Sequence, residues 1–241
     1  MLTGVYMQRN FRYLDDLIHS GAKKVVLDAD IVLDDDEKEK YWNGISLDVE
    51  SLVIDGAGHS VDARGKVRIF NVSALNVKIT NITLKNGHDL NGGAIFNGCF
   101  LEVRNVNFES NRSDRGGAIF NAVQLTLFDC NFVDNRSGFE GGAIFNDGKL
   151  DAEYCSFTSN LSLLQGGAIF NCAVLHIRDS VFKRNVSSEI AGAIFTEKEE
   201  TRPTEPPYRG MVEICNMYCI DCEFEDNAPD DIFEVGQNDL P

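Results

Sequence analysis

Hydrophobic and polar residues alternate along short segments that recur through the middle of the chain. The segment from Leu101 to Arg104 alternates apolar with charged positions, and the same period of two returns at residues 125–127 and 175–178. A period of two is typical of a half-buried β-strand, whereas an amphipathic helix needs a period near 3.6. These segments are therefore predicted to be strands.

The phase of the alternation shifts one residue after each of these segments. Val106 and Phe108 form the next apolar pair after Arg104, and Asn105 stands at the break. Asp129 and Asp179 stand at the equivalent breaks in later segments. Because Asn and Asp tolerate left-handed backbone conformations, one such residue can bend a strand. We therefore predict two short strands joined by a bend.

Two motifs recur with the same spacing. Phe-x-x-Asn recurs from Phe108 to Phe182 and returns at Phe224 after 42 residues, so the interval contains an insertion. The hexapeptide Gly-Gly-Ala-Ile-Phe-Asn, with one variant in the last copy, recurs at intervals of 24, 25, 25 and 25 residues and begins at Gly92, Gly116, Gly141, Gly166 and Ala191.

Each repeat is predicted to hold three short strands: Gly-Ala-Ile-Phe-Asn, the alternating segment, and the segment ending in Phe-x-x-Asn. A turn of about five residues would follow. Such repeats predict an all-β fold, a single-stranded right-handed parallel β-helix of the pectate-lyase-like solenoid type. Two columns of stacked asparagines are expected, in which each amide bonds the next. The columns are Asn97, Asn121, Asn146 and Asn171, and Asn111, Asn135, Asn160, Asn185 and Asn227.

The whole chain, residues 1–241, is predicted to be a single β-helix domain. Asn10 can cap a helix with one apolar face, and Gly21 can end it, so an N-terminal capping helix is expected. The acidic run at residues 34–37 is expected to be a solvated loop. The predicted parts are the helical cap at 1–22, irregular first coils at 23–91, regular coils at 92–227 with a loop insertion at 197–210, and a C-terminal cap or tail at 228–241.

Composition narrows the classes of partner. The chain is 43% hydrophobic and 25% charged, which is typical of a folded globular protein. Its net charge of −16 disfavours nucleic acid and anionic membrane surfaces. No membrane span and no signal peptide are expected, because no apolar run is long enough and the first twenty residues mix charges with hydrophobic residues. The odd number of cysteines, seven, favours a reducing compartment, so a cytoplasmic location is the default expectation.

The paired motifs resemble those of known β-helix families. Gly-Gly-Ala-Ile combined with Phe-x-x-Asn is similar to repeats of chlamydial polymorphic outer-membrane proteins and of adhesin-like right-handed parallel β-helix proteins of methanogenic archaea. The stretch from Leu52 to Asp62, followed by residues 68–71, resembles the opening coils of the archaeal group. The resemblance covers residues 45–227 and implies the β-helix fold, display at the cell surface and adhesion. It implies no catalytic residue.

The leading functional prediction is a non-catalytic interaction module with a flat aromatic face. If the Ile of each Ile-Phe-Asn points inward, the neighbouring Phe points outward, and an extended apolar patch usually marks a contact surface. A long patch without polar groups favours a protein or cell-surface partner over carbohydrate. In the alternative, the rings lie inside or are covered by the same chain. The rings, called here the Phe file, are Phe96, Phe120, Phe145, Phe170 and Phe195.

A carbohydrate-active β-helix enzyme, a polysaccharide lyase or hydrolase, is the alternative function. Aligned repeats bring Asp151, Glu153, His176 and Arg178 together in two neighbouring coils, and grouped carboxylates can act as general acid and base. Ion pairs between the coils explain the same residues structurally. Catalysis would also need a groove walled by long loops, and the short turns predicted between strands favour binding.

Cofactors and metals are not expected. Cys215, Cys219 and Cys222 have the spacing of an iron–sulfur ligand loop, but the last two align with inward positions and are expected to be small buried hydrophobes. The four histidines are too scattered for a zinc site.

Overall fold

The structure is a computed structural model and describes residues 9–197 and 216–234. It has the predicted fold class: an all-β parallel β-helix with a single short helix, Phe11–Ile18, among the described residues. All strand pairs in the described part are parallel, and the strands stack into three sheets.

The first sheet contains the Ile-Phe-Asn segments and has eight strands. The Ile of these segments points into the core and the Asn begins the corner that follows. The strands are Ile45–Leu47, Phe70–Val72, Ile95–Asn97, Ile119–Asn121, Ile144–Asn146, Ile169–Asn171, Ile194–Thr196 and Ile232–Glu234.

The second sheet has 14 strands and contains both predicted strand positions on the two sides of the bend. Those before the bend, or running through it, are Lys24–Val26, Val53–Asp55, Val77–Lys85, Phe100–Glu109, Gln124–Phe128, Lys149–Glu153, Val174–Arg178 and Asn216–Ile220. Those after the bend are Ile31–Val32, Ser60–Asp62, Asn131–Val133, Ser156–Thr158, Val181–Lys183 and Glu223–Glu225.

The third sheet corrects the predicted strand count. The segment after Phe-x-x-Asn was expected to be a turn, but in five coils it forms a further parallel strand, so these coils have a third sheet. These strands are short, and the inward residue is a buried serine such as Ser113 or Ser137 in four of them and the half-buried Asp89 in the first, which gives no apolar alternation. They are His88–Asn91, Arg112–Arg115, Arg136–Glu140, Leu161–Ser162 and Val186–Ser187.

Equivalent residues lie directly above one another from coil to coil. The rings of Phe108, Phe132 and Phe157 are stacked with centroids 4.6 and 4.7 Å apart, and the next two steps, to Phe182 and Phe224, are 4.7 and 5.0 Å. These distances match the separation of neighbouring strands in a sheet, roughly 4.8 Å. The predicted single file of phenylalanines is confirmed.

The bends form where the polar breaks in the pattern predict them. Asn105, Asp129 and Asp179 have φ angles of 51°, 54° and 48°, in the left-handed region. A second bend, which the pattern did not reveal, lies one residue before each asparagine of the second ladder and includes Ser110 and Asp134 with φ of 53° and 54°. These two left-handed residues, together with the first glycine of each Gly-Gly pair, turn the chain in the regular coils.

Both asparagine ladders are present and buried. Asn160 illustrates the second ladder: its Oδ1 accepts from the backbone N and Nδ2 of Asn135 at 3.1 and 3.0 Å. Its Nδ2 donates to Phe132 O and to Asn185 Oδ1 at 3.0 and 2.9 Å. The first ladder runs through Nδ2–Oδ1 bonds of 2.7 Å at each step. All the hydrogen-bonding capacity of each internal amide is thus used inside the coil stack.

The paired glycines occupy a corner with no room for a side chain. Gly116 has φ of 63°, and a Cβ on Gly117 would lie 2.1 Å from the carbonyl oxygen of Gly142 in the next coil. A side chain at either position would force the coils apart, which explains why Gly-Gly recurs with the repeat.

The N-terminal helix covers the open end of the core as predicted. Asn10 accepts a hydrogen bond from the Tyr13 backbone N at 3.1 Å, and the helix buries Phe11 and neighbouring apolar residues. The acidic run is not wholly a solvated loop, because Glu37 is buried and accepts from the backbone N of Phe11 and Arg12 at 3.2 and 2.8 Å. Its carboxylate therefore supplements the Asn10 cap.

The C-terminal segment continues the coils where a cap or tail was expected. Ile232–Glu234 pairs with Ile194–Thr196 in the first sheet. Apart from Glu197, the predicted loop insertion at 197–210 lies outside the described residues, as does the predicted tail from residue 235 onward. The division into cap, first coils and regular coils stays a prediction.

Replacing Asn160 by Ala tests the contribution of the ladder. The change removes the acceptor of the buried Asn135 backbone N and of one Nδ2–H of Asn135, and it removes one of the donors to Asn185 Oδ1 and to Phe132 O. Asn185 Oδ1 keeps its bond from the Asn160 backbone N. Because buried donors are left unpaired, the free energy of unfolding should fall by about 3 kcal/mol. Urea denaturation measures this. Asn131→Ala is the matched control, because Asn131 lies half-buried on the outer face with one bond to Asn107. A loss equal to that of the control would contradict the ladder's role.

Candidate functional site

The Phe file forms on the outer side of the first sheet. The isoleucines beside it are fully buried in the core, and the five rings stack with centroids 5.4, 4.9, 5.1 and 5.0 Å apart. The structure therefore has Ile inside and Phe outside, the orientation that the sequence left open.

The Phe file is not the open face that was expected. Phe145, Phe170 and Phe195 are only 7%, 5% and 3% exposed, and Phe96 and Phe120 are half-buried. Ile190 and Ala191 pack against these rings as a second, small hydrophobic cluster. For the three buried rings, the alternative in which the same chain covers the file is correct. The prediction of a continuous contact surface there is wrong, because covered rings cannot contact a partner.

The second sheet brings the predicted acid and base residues together. Asp151 is in register with His176 in the next coil, and Glu153 is in register with Arg178. The strand alternation that buries Leu150, Ala152, Leu175 and Ile177 turns these four side chains outward. We call this outer surface of residues 149–154, 176–178, 218 and 220 the acid–base face.

Every carboxylate of the acid–base face is engaged by a neighbouring cation. Asp151 Oδ1 lies 2.9 Å from His176 Nδ1, and Asp151 Oδ2 lies 2.7 Å from Lys149 Nζ. Glu153 Oε2 accepts from Arg178 at 2.7 Å, and this hydrogen bond raises the pKa of Arg178. The expected ion pairs between coils are thus present.

Aromatic rings extend the acid–base face. Tyr218 is 56% exposed and its ring contacts His176 edge-on, with centroids 5.1 Å apart. Tyr154 is 51% exposed and contacts Phe128 edge-on at 5.3 Å. An open depression of about 680 Å³ lies among the charged residues, Phe128 and Tyr218. Its volume lies in the range of ligand pockets.

Tyr154 is the functional candidate that the sequence reasoning missed. It occupies the first bend of its coil with φ of 54°, at the position where other coils have Asn105, Asp129 or Asp179. A left-handed backbone is uncommon for a bulky residue and costs roughly 1–2 kcal/mol. The sequence does show one sign of it: when the repeats are aligned, Tyr154 stands at a position where the other repeats have Asn or Asp.

The arrangement is compatible with binding and with proton transfer. The contact of Asp151 with His176 uses Nδ1, so Nε2 is the ring nitrogen that could act on a substrate proton. Glu153 is held by Arg178, and Asp151 is also held by Lys149. Exposed rings between paired charges are common at contact surfaces, where Tyr and Arg contribute most to affinity.

The two cysteines of the last described coil are less buried than expected. Cys219 and Cys222 are both half-buried, whereas Cys130 and Cys155 in the preceding coils are buried. A hydrogen bond from the Cys219 thiol lowers the pKa of Cys222 to about 7, and the pKa of Cys219 is raised. Cys215, the third residue of the suspected iron–sulfur spacing, lies outside the described residues.

Within residues 9–197 and 216–234, no group of three or more His, Cys, Asp or Glu side chains is arranged to hold a metal ion. No helix in this part of the chain has the length and apolar character needed to cross a membrane. Comparisons of the chain with protein-family models, curated proteins and solved structures found no match.

Phe170→Ala should destabilise the protein by about 3 kcal/mol, because the ring is buried between stacked neighbours and its removal leaves a cavity. Urea denaturation measures the change. Phe139→Ala is the matched control, since Phe139 is 46% exposed on the third sheet, and it should change stability by about 0.5 kcal/mol at most. Equal effects of the two substitutions would show that the Phe file is open after all.

Cys222 should be alkylated by iodoacetamide at pH 7 well before Cys130 and Cys155. Its lowered pKa provides thiolate at this pH, and it is only half-buried, whereas the other two thiols are shielded. Peptide mapping by mass spectrometry measures the order. Cys219→Ala removes the hydrogen bond and should slow labelling of Cys222; an unchanged rate would contradict this cause.

Proposed function

We propose that this protein is a non-catalytic, adhesin-like interaction module that binds a protein partner through the acid–base face. The observation that carries the proposal is Tyr154, an exposed aromatic residue held in a left-handed backbone conformation beside the paired charges. Local strain without a structural benefit is common at functional sites. The other bends of the second sheet show that Asn or Asp is sufficient for the fold.

The rigidity of the face supports a binding role. The strands carrying Asp151, His176 and Tyr218 are paired in register on three successive coils. Side chains held on a paired sheet lose little conformational freedom on binding, which favours affinity. The charges are already paired, so a partner need not supply a counter-charge for each.

Partner chemistry follows from the residues of the face. Tyr154, Tyr218 and Arg178 belong to the residue types that most often contribute binding energy in protein–protein interfaces. The similarity of the repeats to adhesin-like β-helix proteins supports the same proposal, since those proteins imply adhesion at a cell surface. Carbohydrate is the less favoured partner.

A carbohydrate-active enzyme is the second candidate. The observation that favours it is the contact of 2.9 Å between His176 and Asp151 in an open depression of about 680 Å³, with Glu153 on the same strand. In such an enzyme, Asp151 would orient His176 as the base, and Glu153 would be the second acidic group.

The substitution Tyr154→Asn tests whether the ring is needed for partner binding without weakening the fold. Asn suits the left-handed bend, so the free energy of unfolding should stay the same or rise by about 1 kcal/mol. Binding should fall, because the exposed ring is lost. Immobilised wild type should capture a partner protein from native cell extract, and recovery should drop at least tenfold with Tyr154→Asn.

Trp42→Ala is the matched control, because Trp42 is 71% exposed but belongs to the N-terminal coils. It should retain the partner. Equal recovery by wild type and Tyr154→Asn would contradict the proposed face. Depolymerisation of a polysaccharide by wild type, abolished by Asp151→Asn, would contradict the non-catalytic proposal and favour the enzyme.

A further inference from the structure

The outer surface of the third sheet carries a column of one histidine and two arginines. His88, Arg112 and Arg136 occupy equivalent positions on three successive coils, and Arg112 is in register with both neighbours. All three side chains are exposed. Because their strands are neighbours in the sheet, the backbones of successive members of the column are roughly 4.8 Å apart.

The column lacks the counter-charges found elsewhere in this acidic chain. Arg104, Arg115 and Arg178 each pair with a glutamate. Among the described residues, no carboxylate oxygen lies within 4.0 Å of the charged nitrogens of His88, Arg112 or Arg136. Like charges directly opposite each other on neighbouring strands destabilise a sheet. The fold therefore gains nothing from stacking Arg112 on Arg136.

A recess lies beside the N-terminal end of this column. It has a volume of about 560 Å³, and Arg64, His88 and Arg112 line it together with Asn86 and Ser110. Its one acidic residue, Asp62, accepts hydrogen bonds from the Arg64 backbone N at 2.8 Å and from Asn86 Nδ2 at 2.9 Å. Arg64 has a distant contact with Asp35, at 3.9 Å. We call these residues the basic recess.

We propose that the basic recess binds a sulfate or phosphate group. Arg64, His88 and Arg112 line the recess and offer N–H donors, and guanidinium groups match the tetrahedral oxyanions of sulfate and phosphate with paired hydrogen bonds. A bound dianion would also relieve the repulsion between Arg112 and its stacked neighbours. This site is on a different sheet from the acid–base face and does not depend on the proposed function.

The anionic group could be a free ion or part of a sulfated polymer, and Arg136 distinguishes these two sources. Arg136 extends the column one coil beyond the recess and does not line it. A free ion in the recess would not contact Arg136. A polymer with repeated sulfate groups would place one group in the recess and another against Arg136.

The test is an NMR titration of the full chain with sodium sulfate, following the arginine Nε–H signals while sodium chloride keeps the ionic strength constant. Wild type should show saturable shifts of the Arg64 and Arg112 signals. Arg112→Gln should weaken sulfate binding at least tenfold, because a charge-assisted pair of bonds is lost. Arg12→Gln, an exposed arginine on the N-terminal helix, is the matched control and should bind within twofold of wild type.

Parallel titrations with dextran sulfate and uncharged dextran identify the source of the group. Weaker dextran sulfate binding by Arg136→Gln, with sulfate binding unchanged, supports a sulfated polymer; no effect on either ligand supports a free ion. Shifts that do not saturate in wild type, or that are the same in Arg112→Gln, would overturn the proposal. Equal binding of uncharged dextran and dextran sulfate would also overturn it.

Discussion

The structure depends on buried side-chain amides whose partners lie one coil away. An amide such as Asn135 cannot reach water, so its donors and acceptor must be satisfied by the equivalent residues above and below it. This requirement holds successive coils in register. Asn227 still bonds Asn185 at 2.9 Å although 42 residues separate them, where other steps of this ladder span 24 or 25. The ladder therefore keeps its register across this longer interval.

Exact stacking inside the coil leaves the outward positions free to vary. The inner columns keep one residue type, as in the stacked phenylalanines from Phe108 onward, or stay apolar, whereas the outer column of Glu102, Thr126, Asp151 and His176 changes at every step. An outward residue that adds a local cost therefore needs an explanation beyond the repeat. At Glu102 the explanation is local, because hydrogen bonds from Lys78 and Arg104 lower its pKa and hold the carboxylate in an ion-pair network. Tyr154 and the unpaired stack of Arg112 and Arg136 have no such local explanation.

Much of the fold could be predicted because two periods are visible in the sequence, one of two residues and one of about 25. The third sheet could not, because its strands are short and the inward residue of four of them is a small serine such as Ser113. The cover over the Phe file could not either: Arg115 lies over the Phe145 ring at 5.5 Å and Ile190 packs against the buried rings, and the alternation within the strands does not mark a side chain that lies over a ring. The register of Asp151 with His176 was predictable, since one repeat separates them, but the depression beside them depends on how Tyr218 and Phe128 fill the space.

Backbone strain and charge repulsion lead to the same inference at two separate places. In a stack of paired strands, the left-handed Tyr154 gains an edge-on contact with Phe128 at the cost of backbone strain, and the opposed arginines gain no ion pair with a described carboxylate, so each adds a local cost. Asn and Asp at the equivalent bends show that a less strained choice fits the same backbone. A local cost at an exposed position is a reason to look for a function there. Both features are exposed beside open depressions, and contact with another molecule is the compensating interaction that we propose.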